Sequence, residues 1–216
     1  MDYIKKENEK INSNLLSLEI KQIFSMAEHY FSQVGEKFEF YERLVSGKKN
    51  TLCNTINLNS VGNNNKILES NVEVSHCDPL EDSMFLTVEV NKKNQGNFKF
   101  KLKYNNFIPA PFFRFDSVGT THRNKIDGVN LKDLQVTPPH FHRFNKEGIE
   151  IAYKTEELKN NETAEALRDI NFCLAHFCHE SNTRVNEDEF PNVEVMPDTL
   201  GLQIFEDDPN QNIEFL

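Results

Sequence analysis

The sequence contains no tryptophan, only four cysteines and no long apolar run. The cysteines, at positions 53, 77, 173 and 178, do not have the spacing of a disulfide framework, so we expect free thiols. No stretch is apolar over the length that a membrane-spanning helix needs, and the first residues do not form a secretory leader. These absences predict a reduced, cytoplasmic protein with no membrane partner.

Positive charge is also scarce, because 24 Lys and Arg residues stand against 34 Asp and Glu residues, which gives a formal net charge of -10. Such a surface repels bulk nucleic acid and favours a basic partner, for example the basic groove of a nucleic-acid-binding protein. We therefore expect no direct contact with nucleic acid. The 216 residues can bury a real core, and 18 phenylalanines predict that this core is rich in phenylalanine.

Apolar residues recur every three or four positions in two segments, which predicts two amphipathic helices. The first stripe runs from Leu16 to Val34, so its helix should end near Gly35. The second helix should begin at an Asn161 cap. The buried stripe of the second helix consists of Leu167, Ile170, Leu174 and Phe177.

Alternation of apolar and polar residues predicts strands over residues 84–90 and 98–104, joined by a hairpin loop over residues 92–96. In the second of these strands Lys99, Lys101 and Lys103 form a basic row, which is typical of the solvated face of an antiparallel sheet. Further strands are expected at residues 56–58, 72–74, 112–117, 140–142 and 149–153.

Together these elements predict an α+β fold in which an antiparallel sheet packs with a helix. We expect an N-terminal helical segment over residues 1–47, with its amphipathic helix, and a core domain over residues 48–180. Residues 181–216 should form an acidic C-terminal extension, in which carboxylates separate short apolar runs. Such an extension needs a partner surface, either its own domain or another protein.

The stretch from Gly119 to Tyr153 carries the strongest chemical signal, because it holds three of the seven histidines. Side chains alternate across a strand, so His140 and His142 should share one face while Phe141 points to the other. The loop with His122 can fold back beside this pair. No catalytic signature in the stretch is complete, and we assign no catalytic residue.

Four motifs in and around this stretch also occur in a fixed order: Arg114-Phe115-Asp116, His122-Arg123-Asn124 with Asp127-Gly128, Pro139–His142, and Ala152-Tyr153. In this order they resemble an uncharacterised family of small bacterial and phage proteins with an HRN-x-DG…PHxH motif. The sequence departs from the family pattern at Lys125-Ile126, where a single Pro is usual. The same order is distantly similar to TumE-type toxins of toxin–antitoxin pairs.

The histidines point first to a zinc site formed by His122, His140 and His142, because zinc accepts imidazole nitrogens at such spacing. Three protein ligands would leave a position for water, whereas a fourth would make the site structural. Candidates for that fourth ligand are Asp116, Cys173 and His176. A separate His76-Cys77 pair resembles half of a metal site.

Two other interpretations of the histidines remain open. The toxin resemblance implies metal-free RNA cleavage, with two histidines as general acid and base and Arg123 or Arg143 stabilising the charged transition state. Alternatively, the histidines are hydrogen-bonded packing residues without chemistry.

We expect a binding protein rather than an enzyme. The phage-like resemblance and the acidic surface imply an inhibitor of a host defence enzyme that handles nucleic acid, such as a CRISPR effector (an anti-CRISPR protein). Its partner would be a basic, nucleic-acid-binding host protein, contacted through Glu206, Asp207 and Asp208. The alternative is a ribonuclease toxin that uses His122, His140 and His142.

Overall fold

The computed structural model describes residues 30–60, 66–124 and 134–195. The helices are α1 (Ser32–Glu36), α2 (Phe38–Ser46), α3 (Glu156–Lys159), α4 (Asn161–Ala166) and α5 (Ile170–Glu180). The first six strands are β1 (Lys49–Thr51), β2 (Thr55–Ser60), β3 (Ile67–His76), β4 (Met84–Asn91), β5 (Asn94–Lys103) and β6 (Phe113–Asp116). The other strands are β7 (His122–Arg123), β8 (Gln135–Val136), β9 (His140–Phe144), β10 (Glu150–Tyr153), β11 (Thr183–Arg184) and β12 (Asn192–Val195).

Ten of these strands form one sheet, in the order β10-β9-β6-β5-β4-β3-β1-β11, and β2 joins it by pairing with both β3 and β12. Most neighbours are antiparallel, so the predicted α+β fold with an antiparallel sheet is confirmed. The pairs β1–β11 and β2–β12 are parallel, which makes the sheet mixed. Strands β7 and β8 form a separate two-stranded sheet.

The core is rich in phenylalanine, as the composition predicts. Phe100, Phe113 and Phe141, from three strands of the sheet, surround Phe177 of α5 with ring centres 5.5, 5.3 and 6.2 Å from its own. Buried aromatic rings of this size supply much of the apolar area that a fold removes from water. The contact holds α5 against one face of the sheet.

The segment that we predicted as the second helix forms two separate helices, α4 and α5. The side chain of Asn160, not Asn161, caps α4 by accepting from the backbone N–H groups of Glu162 and Thr163. The side chain of Asp169 accepts from the N–H groups of Asn171 and Phe172 and so begins α5 anew. A capping side chain satisfies donors that have no partner inside a helix, which explains why the chain can restart a helix there.

The predicted terminal segments are only partly described. The apolar stripe from residue 16 to residue 27 lies outside the described residues, whereas Val34 on α1 is buried in the core. Within the predicted C-terminal extension, β11 and β12 pair with β1 and β2 of the sheet. Glu206, Asp207 and Asp208 lie outside the described residues.

The helices of the described ranges are too short and too polar for any of them to cross a membrane.

The face of the sheet opposite the phenylalanines carries ionisable side chains. Across the paired strands Lys99 stands opposite Asp116, and Lys101 stands opposite Arg114. On the next strand pair Asp116 stands opposite His140. The lysine row of β5 therefore shares its face with the histidines of β9, and that face positions the site described next.

Candidate metal centre

Strand β9 places His140 and His142 on the same face of the sheet, with ring centres 4.6 Å apart. Phe141, between them, points to the other face and contacts Phe177 in the core. Alternation along the strand produces this arrangement, so the predicted pairing of the two histidines is confirmed. Both histidines are buried.

Asp116 joins the two histidines from the neighbouring strand β6. Antiparallel pairing sets Asp116 opposite His140 and Arg114 opposite His142. One potential ligand atom from each of Asp116, His140 and His142 lies within 4.8 Å of the others, and all three residues are buried. These residues form a buried group that can hold a metal ion.

The group has the protonation states that a metal requires. Burial raises the pKa of Asp116, but contact with His142 and the charges of Arg114 and Lys99 outweigh it and lower that pKa to about 2. Burial lowers the pKa of His142 to about 4 and also lowers that of His140. At neutral pH the carboxylate is therefore ionised and both imidazoles are neutral, which are the forms that coordinate metals.

Charged residues surround the group and orient it. The Nε2 atom of His142 lies 3.2 Å from Asp116 Oδ2, and its Nδ1 atom lies 3.7 Å from Glu150 Oε2. Arg114 lies between both carboxylates, with Nε 3.4 Å from Asp116 and Nη2 3.5 Å from Glu150. A carboxylate on the far nitrogen of a ligating histidine holds the ring in one orientation and tautomer. Glu150 is the carboxylate on that side of His142, but at 3.7 Å it lies beyond hydrogen-bond distance.

His122 stands at the edge of this group. It lies on β7, and its ring centre is 5.1 Å from that of His142 and 6.5 Å from that of His140. The structure thus brings the three predicted histidines together, while the tight group consists of Asp116, His140 and His142. A ligand role for His122 stays a prediction.

An open pocket of about 360 Å³ leads to the group. Its lining comprises Lys99, Arg114, Asp116, Val118, Gly119, Thr120, Thr121, His122, Arg123, His140 and His142. The pocket thus borders the group on the side of the loop that follows β6, while the side chains of His140 and His142 stay buried.

The remaining candidates for a fourth ligand lie elsewhere. His176 contacts the ring of Phe141, which is on the opposite face of the sheet from His140. Its Nε2 atom is 2.9 Å from Thr155 Oγ1. Cys173, on the same helix, is fully buried in the core. Of the three candidates, Asp116 is the residue that the fold brings to the histidine pair.

The His76-Cys77 pair lies beside Asp78, and these three residues form a second group that could hold a metal ion. The Nδ1 atom of His76 accepts the backbone N–H of Asp78 at 2.9 Å. Its Nε2 atom lies 3.0 Å from the carbonyl oxygen of Arg43, to which it must donate because a carbonyl only accepts. The Nε2 contact joins β3 to α2, and the Nδ1 contact holds the turn after β3, so His76 has a structural role in this state.

Glu150 and Arg114 belong to the site, but sequence reasoning gave them no role. Alternation along β10 puts Glu150 and Ala152 on the face opposite Ile151 and Tyr153, but it does not show that Glu150 is buried. A buried carboxylate needs a partner. The identity of that partner depends on the pairing of β10 with β9, which the sequence does not show.

Comparison of the chain with protein-family models, curated proteins and solved structures found no match.

Proposed function

We propose that this chain binds one zinc ion through Asp116, His140 and His142, and that His122 approaches the same ion from the pocket side. The observation that carries this proposal is the convergence of one carboxylate and two neutral imidazoles within 4.8 Å in a buried setting. Oxygen and imidazole nitrogen are ligands that zinc accepts, in sites that combine histidines with a carboxylate.

Unused coordinating atoms support the same proposal. Among the described residues, several buried side-chain atoms of this cluster make no hydrogen bond, among them His140 Nδ1 and His142 Nε2, and each of these two nitrogens can take one coordination bond. Buried polar atoms in folded proteins nearly always have a hydrogen-bond partner, so several such atoms without one in a single cluster suggest a site for a ligand. A metal ion bound between them would supply that ligand.

The open pocket favours a centre with an exchangeable position over a purely structural one. Structural zinc sites are closed by four protein ligands, whereas three protein ligands leave a place for water or another molecule. Here three ligand atoms are close together and the pocket borders them, so one position stays open unless His122 also coordinates the ion. Zinc in such a site acts as a Lewis acid toward whatever occupies the open position.

Elemental analysis of the purified chain tests the proposal. We expect one equivalent of zinc per chain, lost in a variant that carries both His140→Ala and His142→Ala, with a lower melting temperature because metal binding is linked to folding. The matched control is His179→Ala, since His179 is exposed at the end of α5 and should leave the zinc content unchanged.

Metal-free wild-type protein purified without chelators, or equal zinc content in the double variant, would overturn the proposal. The single variant His122→Ala then decides the role of the third histidine. If His122 is a ligand, this variant should bind zinc at least about tenfold more weakly, as expected for loss of a coordinating group.

The net charge of -10 favours a second candidate function. In this proposal the chain is a phage-type inhibitor whose acidic surface occupies the basic channel of a host defence enzyme that handles nucleic acid. Complementary charge would steer the two proteins together. The zinc centre and the acidic surface are separate features, so one chain can have both.

A further inference from the structure

The pocket beside Asp116, His140 and His142 is positively charged, whereas the protein as a whole is negatively charged. Its lining includes Lys99, Arg114 and Arg123 but a single carboxylate, that of Asp116. The chain carries a net charge of -10, so three cations around one small opening depart from the overall composition. Clefts lined by one sign of charge concentrate ligands of the other sign.

The charges inside the site balance without any metal. Lys99 Nζ lies 3.6 Å from Asp116 Oδ1, and Arg114 contacts both Asp116 and Glu150. Two cations thus neutralise two carboxylates. A divalent metal on Asp116, His140 and His142 would add two positive charges, and the described residues that line the pocket include no further carboxylate to offset them. Arg123 adds a third positive charge at the exposed rim.

We propose that the metal centre binds a phosphate group of a small phosphorylated molecule, held between the bound metal, Lys99 and Arg123. This inference rests on the proposed zinc site. A phosphate dianion offsets two of these three positive charges, and guanidinium and ammonium groups are its usual partners in proteins. Thr120 and Thr121, in the loop that lines the pocket, offer hydroxyl donors to its remaining oxygens.

The dimensions and surroundings favour a small ligand over a nucleic-acid strand. A pocket of about 360 Å³ accommodates a phosphate with a modest organic group. A strand would need a continuous basic groove along its backbone. Next to the pocket Lys101 is instead paired with Glu89, which interrupts such a groove.

Titration with inorganic phosphate and with a nucleoside monophosphate, followed by calorimetry, tests this inference. We expect both to bind the zinc-loaded protein and to bind the chelator-treated protein at least about tenfold more weakly, because one charged partner is lost. Arg123→Gln should weaken binding to the zinc-loaded protein by a similar factor and leave its zinc content unchanged. The matched control is Lys103→Gln, which removes a charge on the same face of β5 but outside the pocket lining.

The outcomes separate this inference from the zinc proposal. If zinc is bound but phosphate does not bind, or binds equally with and without zinc, the phosphate site is wrong while the zinc site stands. If no zinc is bound, the zinc proposal itself has failed. A single-stranded oligonucleotide that binds in the pocket more tightly than the nucleoside monophosphate would overturn the assignment to a small ligand.

Discussion

At the scale of single residues, the site shows how one side chain can serve two neighbours. Arg114 contacts Asp116 and Glu150, and Glu150 in turn approaches His142. A buried charge is tolerated when it is paired, and here each carboxylate has a cation beside it. The network therefore keeps the metal group ordered and ionised before any ligand arrives.

Lys49 is a second buried charged residue, and its side chain links the C-terminal ends of two helices. Its ammonium group donates to the carbonyl oxygens of Val45, Gly47 and Ser181 at 2.8, 2.7 and 2.7 Å. These carbonyls lie at or just beyond the C-terminal ends of α2 and α5. Burial lowers the pKa of Lys49 to about 7.

Lys49→Met should lower the free energy of unfolding by about 3 kcal/mol, because it keeps the packing but leaves buried carbonyls without a donor. Urea unfolding followed by circular dichroism measures the loss. Lys48→Met is the control, since Lys48 is exposed and its replacement should change stability by less than about 0.5 kcal/mol. Equal stability of the two variants would show that Lys49 does not join the helix ends.

At the scale of elements, the turn between β9 and β10 controls the site. Gly148 has a φ of +79°, a region that residues with a side chain rarely adopt. A Cβ atom there would lie 2.2 Å from the carbonyl oxygen of Phe31. The Phe31 N–H also donates to the Gly148 carbonyl at 2.9 Å. The turn thus fixes the pairing that sets Glu150 beside His142.

Gly148→Ala should destabilise the chain by about 2 kcal/mol or more, since both the backbone conformation and the contact with Phe31 resist a side chain. Thermal unfolding measures this effect. The matched control is Gly96→Ala in β5, where a Cβ atom would meet only Asn94 Oδ1, at 3.3 Å, and which should unfold close to the wild type. A Gly148→Ala protein as stable as this control would contradict the observed turn.

At the scale of the whole molecule, the two faces of the large sheet differ: one packs in the core and the other carries the candidate metal site. Its phenylalanine face carries α5 and the core, whereas its other face carries Lys99, Asp116 and the β9 histidines. Antiparallel sheets commonly have one face on the core and one toward solvent, and the site lies on the latter. Part of that face is nevertheless buried, which allows close ion pairs and neutral imidazoles to persist.

The acidic composition also predicts behaviour of the molecule as a whole. Reversing Glu206, Asp207 and Asp208 to Lys should slow association with a basic nucleic-acid-binding partner recovered from host lysate, because charge steers the encounter. Stopped-flow or biosensor rates should also fall as salt rises, since the Debye length is about 8 Å at physiological ionic strength.

The control for that experiment is an equal reversal at exposed carboxylates of the described chain, Glu36, Glu147 and Glu162. It changes the net charge by the same amount, so it separates a local contact from a general charge effect. Equal association rates for the C-terminal variant and the wild type would contradict the inhibitor hypothesis, as would a lysate that yields no nucleic-acid-handling partner.

Much of the fold was predictable because its signals are local. Alternation along a strand depends only on backbone geometry, so the sequence predicted that His140 and His142 share a face. The same reasoning identified β4 and β5, whose observed bounds are Met84–Asn91 and Asn94–Lys103. The break between α4 and α5 was missed, because the apolar stripe continues across a point where Asp169 provides a new cap.

The sequence by itself determined that two histidines, a lysine row and a set of phenylalanines would occupy alternating faces of strands. Only the tertiary structure decided which strands are neighbours, and therefore that Asp116, rather than Cys173 or His176, meets the histidines. Pairing between distant strands depends on register and on the packing of the whole sheet, which no local pattern encodes. Asp116, His140 and His142 meet because β6 lies beside β9, and that order arises only when the entire sheet forms.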